Sequence, residues 1–320
     1  MVPPEALSPV IVVAGPTASG KSALAADMAD AFSGVVINAD SMQVYRGLEV
    51  LSAAPDADQR SRVPHVLYGI LDPAMPCSAG DWRSLAIAEI EKAREAQKLP
   101  IIVGGTGLYL RTLISGIARM PPVPPPIRER VRARLAMTGS EALHGELAQF
   151  DPDMAATLAP GDSQRIARAL EIFEATGRTL TDWQRGDGKP DDPHRYDFFT
   201  ILLAPPRDVL YPACDARFLQ MLDQGALQEV ERLAERKLDP ALPAMKALGV
   251  PHLLRHLSGE IPRDEACRLA QQATRRYVKR QTTWFAHQII ANYTLESQYS
   301  DSNSNDIFAK ISTFLLTNRG

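Results

Sequence analysis

The sequence predicts an α/β protein: a P-loop NTPase-like parallel sheet flanked by helices, carrying an inserted all-helical domain. Three observations carry this reading. Gly15 to Ser22 reads GPTASGKS, the spacing of a phosphate-binding loop. Short apolar runs alternate with helical patterns over residues 1–117 and again over 198–295, as in a sheet of buried parallel strands. Between them lies the insert, residues 118–197, helical in pattern and without a strand pattern from 127 to 190.

The first strand is Val10 to Ala14 (VIVVA), and the first helix is Ser22 to Phe32 with apolar residues at helical spacing. A glycine-rich turn between strand and helix aims backbone N–H groups and a helix N-terminus at phosphate. Lys21 adds a point charge, and the Ser22 hydroxyl suits a bound Mg²⁺. The loop therefore marks a di- or triphosphate site, without saying whether the phosphate is transferred or leaves. Val35 to Ile37 is a second strand, and Asp40 follows at its carboxyl end, the edge where open α/β sheets keep ligands. Ser78 to Gln97 is a helix capped by Ser78, with Trp82, Leu85, Ala86, Ile90 and Ala93 as its buried stripe. Pro100 to Val103 is a third strand, so Thr106 in the turn Gly104-Gly105-Thr106-Gly107 should emerge beside Asp40 and the phosphate loop.

Five prolines between Pro121 and Pro126 cannot sit inside a sheet or helix and mark a stiff linker. The insert then offers an arginine-rich helix, Ile127 to Met137, and a cap at Asp151 followed by Pro152. A further helix, Asp162 to Thr176, turns Ile166, Leu170 and Phe173 inward and stops at Gly177. The Gly186 to Pro190 loop reads as mobile. Phe198 to Leu203 returns the chain to the sheet. Asp264 to Ile290 is a two-faced helix. Ala266, Ala270, Ala273, Tyr277 and Trp284 form its core side, against Arg268, Arg275 and Lys279 with Gln272, and Arg276 and Arg280 flank the two. The cationic side lacks acidic partners within the helix pattern, which points to a polyanion contact over a merely solvated face. Residues 296–320 read as a flexible C-terminal tail, with at most a short helix at Ile307 to Leu316.

Composition narrows the class. The chain has 320 residues, 45% hydrophobic and 23% charged, which is ordinary for a globular protein of two domains. A net charge of −3 excludes global attraction to nucleic acid, so any such surface is local. Cys77, Cys214 and Cys267 form neither a disulfide framework nor a metal cluster, which suits a reducing compartment. No apolar run reaches membrane-spanning length, and the start lacks the pattern of a signal or transit peptide, so a cytoplasmic protein is expected. No N-K-x-D guanine motif is present, which argues against a GTPase. Only loose matches exist for the Mg²⁺-ordering Asp of an ATPase motor.

GPTASGKS, NADSMQVYRGLEV, PIIVGGTGLYLRTLISG, DSQRIARALEI and TRRYVKRQTTW, collinear from about residue 9 to residue 288, together resemble the tRNA dimethylallyltransferase (tRNA isopentenyl transferase) family. The resemblance implies transfer of a dimethylallyl group from dimethylallyl diphosphate to N6 of the adenine 3′ to the anticodon, with Mg²⁺ as cofactor. It implies that Gly15, Pro16, Thr17, Ala18, Ser19, Gly20, Lys21 and Ser22 cradle the diphosphate, with Arg217, Arg276 and Arg280 closing on it and Ser22 on the metal. It gives Asp40 the role of catalytic base and places Thr106 with it. The tRNA contacts it implies are Asp40, Ser41, Met42, Gln43, Thr106, Arg128, Gln164, Arg165, Ile166, Ala167 and Arg168. For Ile166 and Ala167 a core position is the better reading, whereas the Gln43 amide suits a base edge. Pro212 stands where relatives continue a helix and puts the placement of Arg217 in question. Gly249-Val250-Pro251 departs from the family pattern. The expected partners are the tRNA anticodon loop and dimethylallyl diphosphate, with no membrane and no obligate protein partner, hence a monomer. Three other functions remain open to the residues: a small-metabolite kinase, a prenyltransferase acting on free adenine nucleotides, and a non-catalytic RNA-binding module.

Overall fold

The structure, a computed structural model, describes residues 7–117, 120–185 and 195–318. The Gly186 to Pro190 loop lies outside them. Residues up to Ile114 and from His194 form one compact unit, and Ser115–Pro193 form a second.

The first unit is built on a six-stranded sheet of order β3-β2-β4-β1-β5-β6, parallel throughout. Its strands are β1 (Ser8–Ala14), β2 (Gly34–Asn38), β3 (His65–Val66), β4 (Leu99–Gly104), β5 (Tyr196–Leu203) and β6 (Tyr293–Leu295). Helices α1 (Lys21–Ala31), α2 (Ala57–Arg62), α3 (Ala79–Glu95) and α4 (Gly107–Ser115) connect the first strands. Ser78 caps α3 in a reciprocal box with Asp81. Leu85, expected in the buried stripe of α3, is instead exposed, while Arg83 is buried and donates to the Thr112 carbonyl.

Alternation along the strands divides the core into two layers. Val10, Val12, Ile37 and Ile102 face one side with Trp82 and Tyr45. Ile11, Val13, Val36, Ile101 and Val103 face the other, against Leu24 and Met28 of α1.

The second unit holds α5 (Pro125–Phe150), α6 (Pro152–Thr157), α7 (Ser163–Thr176) and α8 (Leu180–Arg185). No strand occurs among its described residues. Two helical stretches meet in α5 at a kink at Gly139, whose φ of 80° no helix contains, so the arginine-rich stretch ends close to the expected Met137. Asp151 caps α6, and Gly177 closes α7 in the left-handed conformation, both as expected. The core is Val131, Leu143, Leu147, Ile166 and Leu170, with Phe150 stacked on Phe173 at 3.9 Å.

The chain then returns to the first unit through α9 (Arg207–Asp223), α10 (Ala226–Glu235), α11 (Val250–Leu257), α12 (Arg263–Gln288) and α13 (Asp301–Thr317). Pro212 sits inside α9, which continues through it. Three expectations about the C-terminal third are corrected. The buried stripe of α12 is Ala266, Ala270, Thr274, Val278, Gln281 and Phe285, rotated from the predicted one. The predicted acid-free cationic side does have partners, since Arg268 pairs with Glu265 and Arg275 with Asp215. The residues expected to form a flexible tail instead follow β6 and cover the sheet with α13. Ile307 and Ile311 are fully buried there, each stabilising by about 1.5–3 kcal/mol. The polar run Ser302 to Asp306 belongs to the early turns of that helix. No described helix is long and apolar enough to cross a membrane.

Candidate active site

Strand register brings the site together. Asn38 of β2 pairs with Val103 of β4, and Gly104 of β4 pairs with Ala14 of β1. Three neighbouring strands therefore end level, and each releases its functional residue within a few positions. Gly104 permits this closeness, because a Cβ there would lie 2.1 Å from the Ala39 carbonyl oxygen. The edge opens into a cavity of about 390 Å³ whose lining includes Thr17 to Ala23, Asp40, Gln43, Gly105, Arg217 and Gln281.

The phosphate loop takes the conformation its glycines allow. Gly15 and Gly20 have φ of 149° and 92°, and a side chain on Gly15 would meet the Leu203 carbonyl at 2.5 Å. Lys21 folds its amine back onto the Pro16 carbonyl at 2.6 Å. Burial pushes the Lys21 pKa down to about 8; the charge of Asp40 opposes the shift and that of Arg217 adds to it. Arg217 reaches the loop from α9 and donates to the Thr17 hydroxyl, so Pro212 has not displaced it. Burial lowers its pKa from the ordinary guanidinium value, against the opposing charges of Cys214 and Asp40.

Asp40 is held from behind. Its N–H donates to Asn38 Oδ1 at 2.8 Å, and the Asn38 amide donates to the Asp40 and Leu67 carbonyls. Asn38 is fully buried, and its own carbonyl accepts from the Trp82 indole at 2.8 Å. The carboxylate Oδ1 accepts from the Met42 N–H. Thr106 lies beside it, its hydroxyl accepting from the Ser41 N–H at 2.9 Å and donating to the Ser41 hydroxyl.

One residue that the sequence did not single out completes the wall. Gln281 of α12 accepts from the Thr17 N–H at 3.0 Å and donates to the Gly105 carbonyl at 2.8 Å, tying the phosphate loop to the Thr106 turn. A glutamine in helical register with Ala270, Val278 and Phe285 is the signal that would have found it. Tyr277 lies one turn earlier; burial first, then the Asp40 charge, raises its pKa above the ordinary phenol value.

Other predicted residues lie elsewhere. Arg276 and Arg280 are exposed and do not line the cavity, and Arg280 instead stacks over the Tyr277 ring at 5.5 Å. Gln43 lines the cavity, but its amide N–H₂ is committed to the Ser52 and Ala53 carbonyls, so only its oxygen remains for a base edge. In the second unit Arg128, Gln164 and Arg165 are exposed, and Arg168 is half-buried beside Glu171. Ile166 and Ala167 are buried in that unit's core, so their side chains offer nothing to RNA.

A parallel sheet whose glycine-rich loop shares one cavity with a strand-end carboxylate is the architecture of the P-loop-like class. The profile of the IPP transferase family matches residues 43–288. The chain belongs to that family. It is 56% identical over 286 residues to a tRNA dimethylallyltransferase of Rhodospirillum centenum, covering 89% of this chain and 91% of that one. It is 54% identical over 279 residues to one of Nitrobacter hamburgensis, covering 87% and 88%. Among solved structures, the full-length tRNA isopentenylpyrophosphate transferase of Bacillus halodurans matches with a TM-score of 0.70 and 31% identity over 98% of both chains. A eukaryotic dimethylallyltransferase acting on tRNA matches with a TM-score of 0.81 and 27% identity, over 98% of this chain and 80% of that one.

Proposed function

We propose that this cavity transfers the dimethylallyl group of dimethylallyl diphosphate to N6 of the adenine 3′ to the anticodon in tRNA. The observation that carries the reading is the meeting of Asp40, Lys21 and Arg217 in one cavity of an IPP transferase family member. Diphosphate is the leaving group. The N6 lone pair attacks the allylic carbon, the carbon–oxygen bond breaks, and its electron pair stays on the diphosphate. The loop N–H groups, Lys21 and Arg217 hold that growing charge. An adenine amine is a weak nucleophile, so Asp40 accepts the N6 proton as the bond forms. Among the described residues only its Oδ1 is engaged, by Met42, which leaves Oδ2 for the substrate. Thr106, bonded to Ser41, shapes the same wall.

The donor set fits Mg²⁺. The described residues hold no cluster of three or more His, Cys, Asp or Glu that could cage a metal. Ser22, on the cavity wall, offers a hard hydroxyl, and Mg²⁺ characteristically binds through few protein ligands plus phosphate oxygens. When bound, the ion supplies counter-charge to the diphosphate.

The target adenine must leave the anticodon stack to reach Asp40, at a cost of a few kcal/mol. Arg128, Arg165 and Arg168 of the second unit are the phosphate contacts we assign to the tRNA. A tRNA-modifying role implies a cytoplasmic setting, and no protein partner is needed for this chemistry. The comparisons do not favour the small-metabolite kinase.

Single-turnover transfer to an anticodon stem-loop with saturating donor tests the base. Asp40→Asn keeps shape and should slow the step by roughly 10²–10⁴-fold with near-normal binding of both substrates. A near wild-type rate, or recovery on adding Mg²⁺, removes Asp40 from this role.

A further inference from the structure

The segment between β6 and α13 lies beyond the residues that the family profile matches, yet it touches the phosphate loop at three successive residues. Gln298 Nε2 donates to the Ala18 carbonyl at 2.7 Å, and the Tyr299 N–H donates to the Ser19 carbonyl at 3.2 Å. The Tyr299 backbone passes so close to Gly20 that a Cβ there would lie 3.0 Å from it. Both residues line the same cavity as Lys21 and Asp40. The Tyr299 hydroxyl also donates to Asp27 of α1 at 2.8 Å, anchoring the segment to the helix that the loop feeds. The segment is fixed at both ends, by Leu295 paired with Leu203 in the sheet and by Ile307 and Ile311 of α13 buried in the core.

We infer that Gln298 and Tyr299 are positioning residues of the diphosphate cradle, holding the Ala18 and Ser19 carbonyls so that the following amide N–H groups point at the ligand. The inference rests on the reading of the loop as the diphosphate site. Its physical basis is the planar trans peptide, in which a carbonyl and the next N–H point in opposite directions. Fixing the Ala18 carbonyl therefore aims the Ser19 N–H, and fixing the Ser19 carbonyl aims the Gly20 N–H. The need for such a hold is visible at Ala18, which has a φ of 62° in the left-handed region that a side chain disfavours. Without the Gln298 amide that peptide gains freedom to turn, and a cradle that must be ordered by the ligand binds it less tightly.

The test measures inorganic pyrophosphate binding in the presence of Mg²⁺ by titration calorimetry on the full chain. Gln298→Met keeps length and removes the donor, and it should weaken pyrophosphate roughly three- to tenfold, the size of one neutral hydrogen bond. The KM for dimethylallyl diphosphate should rise by a similar factor, with anticodon stem-loop affinity and melting temperature unchanged. Tyr299→Phe keeps the backbone donor and should have the smaller effect of the two. Unchanged pyrophosphate affinity in Gln298→Met overturns the inference. So does a fall in melting temperature with equal loss of pyrophosphate and stem-loop binding, which marks a merely structural residue. Lys21→Ala separates the two levels. If it too leaves pyrophosphate binding intact, the site reading fails; if it abolishes binding while Gln298→Met does nothing, only the positioning role fails.

Discussion

Lys21 makes donor binding depend on pH in a direction and range that its surroundings fix. Burial lowers its pKa to about 8 in the ligand-free protein, with Asp40 resisting and Arg217 reinforcing the shift. The cationic amine is the form that binds an anionic diphosphate, and the ligand's own charge favours it. Donor binding therefore takes up a proton above that pKa and weakens as pH rises through it. With a pKa of about 8, roughly nine-tenths of the free protein carries the proton at pH 7 and roughly one-tenth at pH 9. The apparent Kd for dimethylallyl diphosphate should thus rise about tenfold between these values, equivalent to about 1.4 kcal/mol. Calorimetry at half-unit steps of pH gives the profile. The same titration of Lys21→Met supplies the baseline that removes the ligand's own ionisation. Two further variants move the break: Asp40→Asn removes an opposing charge and shifts it down, while Arg217→Met removes a like charge and shifts it up. A wild-type profile parallel to that of Lys21→Met, or a break near the ordinary lysine value, refutes the assignment.

Three other outcomes are expected. Arg165→Ala with Arg168→Ala should weaken tRNA binding and flatten its salt dependence by up to ~2 units of slope, with donor affinity unchanged; filter binding over a salt series checks it. Gly104→Ala drives a methyl into the Ala39 carbonyl and should cost about 3 kcal/mol, a fall in Tm of roughly 6–12 °C by calorimetry. Gln281→Leu strands the Thr17 N–H and the Gly105 carbonyl, and should cost about 2 kcal/mol while raising the donor KM; a thermal melt beside initial rates measures both.

Much of the architecture was legible because it follows from local chemistry. The phosphate loop, the strand-end Asp40 and the Thr106 turn each follow an apolar run whose length and parallel pairing place them on one edge. Capping signals at Ser78, Asp151 and Gly177 fixed helix ends for the same reason. What the sequence hid depends on tertiary partners. The stripe of α12 was misplaced because Thr274 and Gln281 are buried polar residues, satisfied by the Ala270 carbonyl and by the two site loops. Arg275 looked unpaired because its acid, Asp215, lies on another helix. The C-terminal segment read as a tail because Ser302 to Asp306 are polar, although Ile307 and Ile311 one turn apart are a helical core pair. Gln43 shows the converse: a side chain suited to base recognition spends its donors on its own loop.

The contact between Gly104 and the Ala39 carbonyl is made of main chain on both sides, so the span between the two loops is a property of the sheet itself. Repacking the core with larger or smaller side chains leaves that span unchanged. An engineer seeking to accept a longer prenyl donor has no adjustment available along this direction. Room must come from lining residues that meet the cavity with side chains, such as Tyr68 and Ser52, which substitution can trim. The main-chain part of the pocket is in this sense a fixed gauge, and its side chains are the adjustable stop.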